Sequence, residues 1–187
     1  MGNTVNAAAT YEDLFNIPDN EVGEIFGGKL VTHPRPAPRH ALATSMVGAG
    51  LIHEFGSRRS GGDPGEWWIL DEPECHLGSD IVVPDLAGWR KTTMPELPET
   101  AWFETPPDWV CEVLSPSTAK YDRGVKREIY ARESVGYYWI VDPLVKLIEV
   151  FALQQCSWAL VNTGSDEQVV NLVPFETLPF DLSILWV

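Results

Sequence analysis

Residues 108–143, DWVCEVLSPSTAKYDRGVKREIYARESVGYYWIVDP, read as strand, turn, helix and strand. Trp109 to Leu114 is rich in β-branched and aromatic residues, and a period of two puts Val110, Glu112 and Leu114 on one face with Trp109, Cys111 and Val113 on the other. Ser115-Pro116-Ser117-Thr118 ends that strand, because Pro116 has no N–H for a ladder and disfavours the α region for Ser115. From about Tyr121 to Ser134, Val125, Ile129 and Ala131 or Arg132 recur at helical spacing, and Gly136 provides a stop. Tyr137 to Val141 is a second strand, closed by Asp142-Pro143. With so short a connection, the two strands lie in one sheet with the helix packed across it, which predicts an α/β fold.

Upstream, residues 81–89, IVVPDLAGW, form another apolar strand. Asp85 follows Pro84 inside it, as Glu112 sits inside the later one. An apolar strand carries neither charge cheaply unless something pairs with it, and a metal ion would pair with both.

PDLAGW, WVCEVLSPST and DRGVKREIYARESVGYYWIVDP together resemble the Uma-two family of uncharacterised bacterial proteins. That family is described as "putative restriction endonucleases" and placed in the PD-(D/E)XK nuclease superfamily. The similarity runs over nearly the whole chain, from YEDLFNIPDNEVGEIFGGKLV onward. It implies a restriction-endonuclease-like α/β core, a mixed β-sheet flanked by helices, with a Mg²⁺ site. Asp85 and Glu112 would be the acidic pair, Glu24 a further acid from the N-terminal region, and the backbone carbonyl of Val113 would complete the metal shell. The superfamily motif has a lysine two residues after the second acid. Here that position is Leu114, and the resemblance points instead to Lys126 on the following helix. It also places a histidine at His40, where the start of a helix could hydrogen-bond a substrate phosphate.

Hard oxygen ligands suit Mg²⁺ or Mn²⁺, which bind through one or two carboxylates and keep several waters. Such an ion with a nearby lysine makes up the parts of a phosphodiester hydrolase. The expected activity is thus a Mg²⁺-dependent endonuclease. The alternative is a non-catalytic module on the same fold that binds a nucleotide, nucleic acid or protein.

The net charge of −14 weighs against tight non-specific DNA binding, which runs on lysine and arginine displacing counterions. The charge is unevenly spread. From Lys120 to Arg132 there are five basic residues (Lys120, Arg123, Lys126, Arg127, Arg132) against two acids, whereas residues 63–112 hold twelve acids and two basics. A basic rim that includes Arg123, beside Glu112, is compatible with binding an anion there. The same charges at i, i+4 also fit a solvated helix face.

At 187 residues the chain is long enough for one well-buried domain, expected to span residues 1–187. No apolar run approaches the roughly 18 residues of a membrane span, and the N-terminus MGNTVNAAAT lacks the features of a secretory signal. Cys75, Cys111 and Cys156 are odd in number and widely spaced, which favours reduced thiols in the cytoplasm. Thr10 and Asp13 predict a capped helix over Tyr11 to Ile17, and Gly27-Gly28 a hairpin between Glu21–Phe26 and Lys29–His33. On that hairpin Glu24 by itself reads as an exposed carboxylate. Residues 34–40, PRPAPRH, read as a rigid loop, and Arg39 to about Arg58 as a helix lying on the sheet. Residues 60–66 are a turn-rich loop before the WWILDE strand. Cys75 and His76 are adjacent on a strand and so face opposite ways, which excludes a thiol–imidazole pair. The loop from Lys91 to Pro107 is long enough to cover a site or a neighbour. A strand meander follows Pro143, and the apolar end of the chain with its tryptophans predicts a homo-oligomer, most simply a two-fold dimer.

Overall fold

Burial on both faces of one strand sets the layering. In the computed structural model, which describes residues 8–56 and 65–187, Trp109–Val113 is buried at every position. In chain order the elements begin with α1 (Tyr11–Leu14), β1 (Glu21–Phe26), β2 (Lys29–Pro34), α2 (Pro38–Leu51) and a π turn at Ile52–Gly56. Then come β3 (Trp67–Asp71), β4 (Cys75–Leu77), β5 (Asp80–Val82), β6 (Leu86–Arg90) and β7 (Trp109–Val113). A broken helix follows, made of α3 (Ala119–Tyr121), a π turn at Asp122–Lys126 and α4 (Arg127–Arg132). The chain continues through β8 (Tyr137–Asp142), β9 (Leu147–Gln154), β10 (Ser157–Ser165), β11 (Val169–Asn171), β12 (Pro179–Asp181) and a 3₁₀ turn at Leu182–Leu185.

Six strands form one mixed sheet in the order β10-β9-β8-β7-β6-β3. Only β7 and β8 run parallel, with Glu112 opposite Ile140, and the broken helix makes the crossover between them. A second sheet has the order β2-β1-β5-β4. Period-two alternation along β7 separates two cores. Trp109, Cys111 and Val113 pack with Ala43, Val47 and Leu51 of α2 and with Phe175 and Leu185 near the C-terminus. Val110 and Leu114 pack with Ile129 and Tyr130 of α4 and with Phe26 and Val82 of the second sheet. Glu112 therefore faces the layer between the two sheets.

Several elements differ from the sequence reading. The helix expected over Tyr121 to Ser134 begins at Ala119 and is broken, with Gly124 at φ −114° and ψ −107°, outside helical geometry. Pro38 takes the first turn of α2, where its missing N–H costs nothing, so the helix starts inside the expected loop. Its last turn widens to π geometry, and residues 57–64 lie outside the described part, including the end of the expected helix and most of the expected 60–66 loop. The 91–107 loop covers tryptophans rather than the cavity described below. Phe103 stacks on Trp89 with centroids 4.6 Å apart, and the Trp68 indole donates to the Met94 carbonyl at 2.9 Å. The C-terminal segment finds its surface within the chain, since Leu182 and Leu185 are buried, while Val187 is 71% exposed. No helix among the described residues is long and apolar enough to cross a membrane.

Phe175 ties the C-terminal segment to the sheet, with ring centroids 4.8 Å from Trp67, 5.2 Å from Trp109 and 5.7 Å from Trp139. Phe175→Ala should lower stability by about 3–5 kcal/mol in urea unfolding, the usual cost of emptying a large aromatic site in a core. A loss under about 1 kcal/mol would mean that this segment is not part of the core.

Candidate active site

The β6–β7 ladder ends at Leu86 opposite Cys111, so Asp85 lies one residue beyond it, beside Glu112 and Val113. The Val113 N–H donates to Asp85 Oδ2 at 2.8 Å, and the Asp85 N–H approaches Glu112 Oε2 at 3.4 Å. His40, in the first turn of α2, puts Nε2 3.2 Å from Asp85 Oδ2 and also bonds the Val113 backbone. It is buried. Glu24 arrives from β1, which pairs with β5 through Ile25 and Ile81, and its Oε1 accepts the Val83 N–H at 2.8 Å. It is 1% exposed, so the exposed-carboxylate reading of the hairpin is wrong.

Lys126 joins these parts. Its Nζ lies 2.7 Å from Glu112 Oε1, 3.1 Å from Glu24 Oε1 and 3.6 Å from Asp122 Oδ1, and donates to the Val83 carbonyl at 3.4 Å. The Asp122–Lys126 pair at i, i+4 is therefore buried inside the site, although the sequence also allowed it on a solvated face. The Tyr130 hydroxyl donates to Glu112 Oε1 at 2.7 Å, and His33 Nε2 lies 3.3 Å from Glu24 Oε2.

The electrostatics follow from crowding in a poorly solvated place. Burial pushes the Glu112 carboxyl well up, Lys126 pulls it back, and Asp122, Asp85 and Glu24 push it up further. Burial also raises Asp122 against the pull of Lys126. Glu24 is equally buried, yet Lys126, the His33 bond and the Val83 N–H outweigh burial and hold it below the usual carboxylate range. Burial opposes the charge on Lys126, but Glu112, Glu24 and Asp122 hold its pKa well up. His33 is raised by its bond to Glu24; His40 is raised by Asp85 despite burial.

His33, His40, Asp85, Glu112, Asp122 and Lys126 line a cavity of about 250 Å³. It is bounded by the loop after β2, at Pro34 to Ala37, and by the loop after β7, at Ser115 to Thr118. Among the described residues no three His, Cys, Asp or Glu side chains are placed to hold a metal by themselves. The donors still fit a hard, water-rich cation, since Asp85 and Glu112 share one cavity and the Val113 backbone adjoins both. The Asp122 Oδ2 atom is buried with no hydrogen-bond partner, a further sign that negative charge here exceeds the cations present. Of the expected residues, Glu24, His40, Asp85, Glu112, Val113 and Lys126 converge. Arg123 does not; it pairs with Glu149 of β9 at 2.6 Å. Tyr130 and His33 were not picked out from the sequence, and Asp122 only as the i, i+4 partner of Lys126. Tyr130 lies four residues after Lys126, a spacing that could have found it.

The large mixed sheet with its few helices is an α/β fold shared with a solved structure. The fold matches, with a TM-score of 0.75 and 19% identity, the crystal structure of a "putative nuclease belonging to DUF820" from Anabaena variabilis, over 93% of this chain and 95% of that one. The chain belongs to the Uma2 family, described as "putative restriction endonuclease", whose profile matches residues 8–185. A Synechocystis relative, the uncharacterised protein slr1290, is 26% identical over 110 residues, a match that spans 54% of this chain and 58% of that protein.

Lys126→Met should destabilise by about 3–5 kcal/mol, because it leaves buried carboxylates without their cation. Asp122→Asn should melt at the same temperature as the parent or higher, because burial and the neighbouring carboxylates Asp85 and Glu24 outweigh its 3.6 Å contact with Lys126. Asp122 binds its proton more tightly folded than unfolded, so it costs stability as pH rises from the ordinary carboxylate range. The advantage of Asp122→Asn over the parent should therefore grow from about pH 4 to about pH 7 in thermal melts. An advantage that shrinks over that range would show that Asp122 is stabilising as a carboxylate.

Proposed function

We propose that this protein is a divalent-metal-dependent nuclease that hydrolyses phosphodiester bonds. The observation that carries the reading is the Lys126 ammonium, 2.7 Å from Glu112, in the same cavity as Asp85. Asp85, Glu112 and the Val113 carbonyl would hold Mg²⁺ or Mn²⁺. The ion, when bound, lowers the pKa of a coordinated water and offsets charge on the phosphorus oxygens. Lys126 donates to the attacking water or to a phosphoryl oxygen as charge develops there. Glu24 and Asp122 keep that ammonium charged and placed, and Tyr130 fixes the Glu112 carboxylate. His40, which lines the same cavity beside Asp85, would donate to a phosphate oxygen when it turns from that contact.

A second reading, a binding module on the same fold, is favoured by one observation. Lys126 is surrounded by three carboxylates, so as it stands its charge is already spent within the site.

Cleavage of end-labelled single- and double-stranded DNA with Mn²⁺ separates the two. The parent should cut and Asp85→Ala should not, while a binding module cuts in neither form. Lys126→Ala should lose a hundredfold or more in rate, roughly the cost of removing a transition-state donor, while still binding Mn²⁺ in calorimetry. Positions 112 and 114 share a strand face, so adding Leu114→Lys to Lys126→Ala should recover part of that rate. Parent-like cutting by Lys126→Ala would remove the lysine from the chemistry. A folded but inactive double variant would show that the two positions do not converge.

A further inference from the structure

The cavity is small, and its supply of cations is smaller still. At about 250 Å³ it falls just under the roughly 300 Å³ at which small-molecule pockets begin, so it holds no more than about one nucleotide unit at a time. Among the described residues its lining contains two Lys or Arg side chains, Lys126 and Arg35. Lys126 is held by Glu112, Glu24 and Asp122. Arg35 is different. It stands on the loop between β2 and α2, 57% exposed, and its contact with Glu72 is a long one of 3.9 Å. A pair that long between exposed groups contributes little, so the guanidinium is available to a better anion.

The other expected cation, Arg123, is held by Glu149 outside the cavity lining. A duplex carries a charge about every 1.7 Å of axis, and proteins that grip it use several cations along its backbone. One exposed guanidinium at the mouth of a pocket, on a chain of net charge −14, matches one phosphate instead.

We propose that the site takes the end of a single nucleic-acid strand, one nucleotide deep, and that Arg35 holds the phosphate next to the one that is cut. This rests on the nuclease reading for the word "cut", but the binding it describes can be measured by itself. A guanidinium presents a planar fork to phosphate oxygens, which a lysine reproduces only in charge. The loop carrying Arg35 is set by Pro34 and Pro36, which restrict its backbone and aim the side chain from a fixed base.

The test measures binding first. Fluorescence anisotropy with a short labelled oligothymidylate, in Ca²⁺ to limit turnover, should show roughly tenfold weaker binding for Arg35→Ala and partial recovery for Arg35→Lys. The slope of log K against log salt should be shallow, and should fall by about 0.7 when the one phosphate contact is lost. Cutting is measured in Mn²⁺ on linear single strands, circular single strands and closed circular duplex, and only the linear strands should be cut efficiently. Parent-like binding by Arg35→Ala, no binding of the single strand, or closed duplex cut as fast as linear single strand would overturn the proposal. Arg35-dependent binding with no cutting of any substrate would sink the nuclease reading and leave the strand-end site standing. Closed-circle cutting with a dead Lys126→Ala variant would do the reverse.

Discussion

The ion pair between Lys126 and Glu112, 2.7 Å long and almost fully buried, is the constraint around which this structure is arranged. A buried ammonium is costly unless several oxygens surround it. Here they come from β7 through Glu112, from β1 through Glu24, from the same helix through Asp122 and from the Val83 carbonyl. These contacts cross the layer between the two sheets, so the second sheet is joined to the first by charge as well as by the apolar packing of Phe26 and Val82. The broken crossover helix belongs to the same arrangement. Its wide turn spans Asp122 to Lys126 and turns both of those side chains inward, while Arg123 between them points out to Glu149. Wide turns of this kind concentrate at functional sites, where a helix gives up regularity to place a side chain.

The parts of the fold that depend on neighbours in sequence were legible. Alternation along Trp109–Val113 predicted two faces, and the two cores divide along it. The strand–helix–strand reading of residues 108–143 predicted that the two strands share a sheet, where they pair in parallel, and Gly27-Gly28 predicted the first hairpin, whose register pairs Phe26 with Lys29. The acids Asp85 and Glu112 drew notice because each interrupts an apolar run. Glu24 offered no such contrast. Its strand is half-buried over Glu21 to Gly23 and buried over Glu24 to Phe26, with no alternation to mark a face, and only pairing with β5, more than fifty residues away, decides that Glu24 points at Val83 and Lys126. The family resemblance supplied what local pattern could not.

The crossover helix shows a different limit. Helical spacing is counted at a fixed period, and a π turn breaks the count. Val125 and Ile129 were expected to mark the buried stripe, whereas Asp122, Lys126, Ile129 and Tyr130 are the residues that are buried. Two of those four are charged, which a hydrophobic pattern reads as solvent-facing. Charge patterning described a basic rim at 120–132 that put Arg123 at the site, but Lys126 is spent inside the protein and Arg123 on Glu149. The cation left at the mouth, Arg35, comes from a proline-rich loop nearly ninety residues earlier in the chain.

Why so many carboxylates surround one lysine is answered most simply by a cation that joins them. Glu112 is pushed toward its neutral form by burial and by Asp122, Asp85 and Glu24, and a divalent ion would relieve that crowding. The most direct measurement is diffraction from Mn²⁺-soaked crystals collected at the manganese edge. The account predicts an anomalous peak bonded to Asp85, Glu112 and the Val113 carbonyl, with Lys126 still beside it. Crystals soaked at millimolar Mn²⁺ that show no peak there, or a peak only at surface acids, would contradict it.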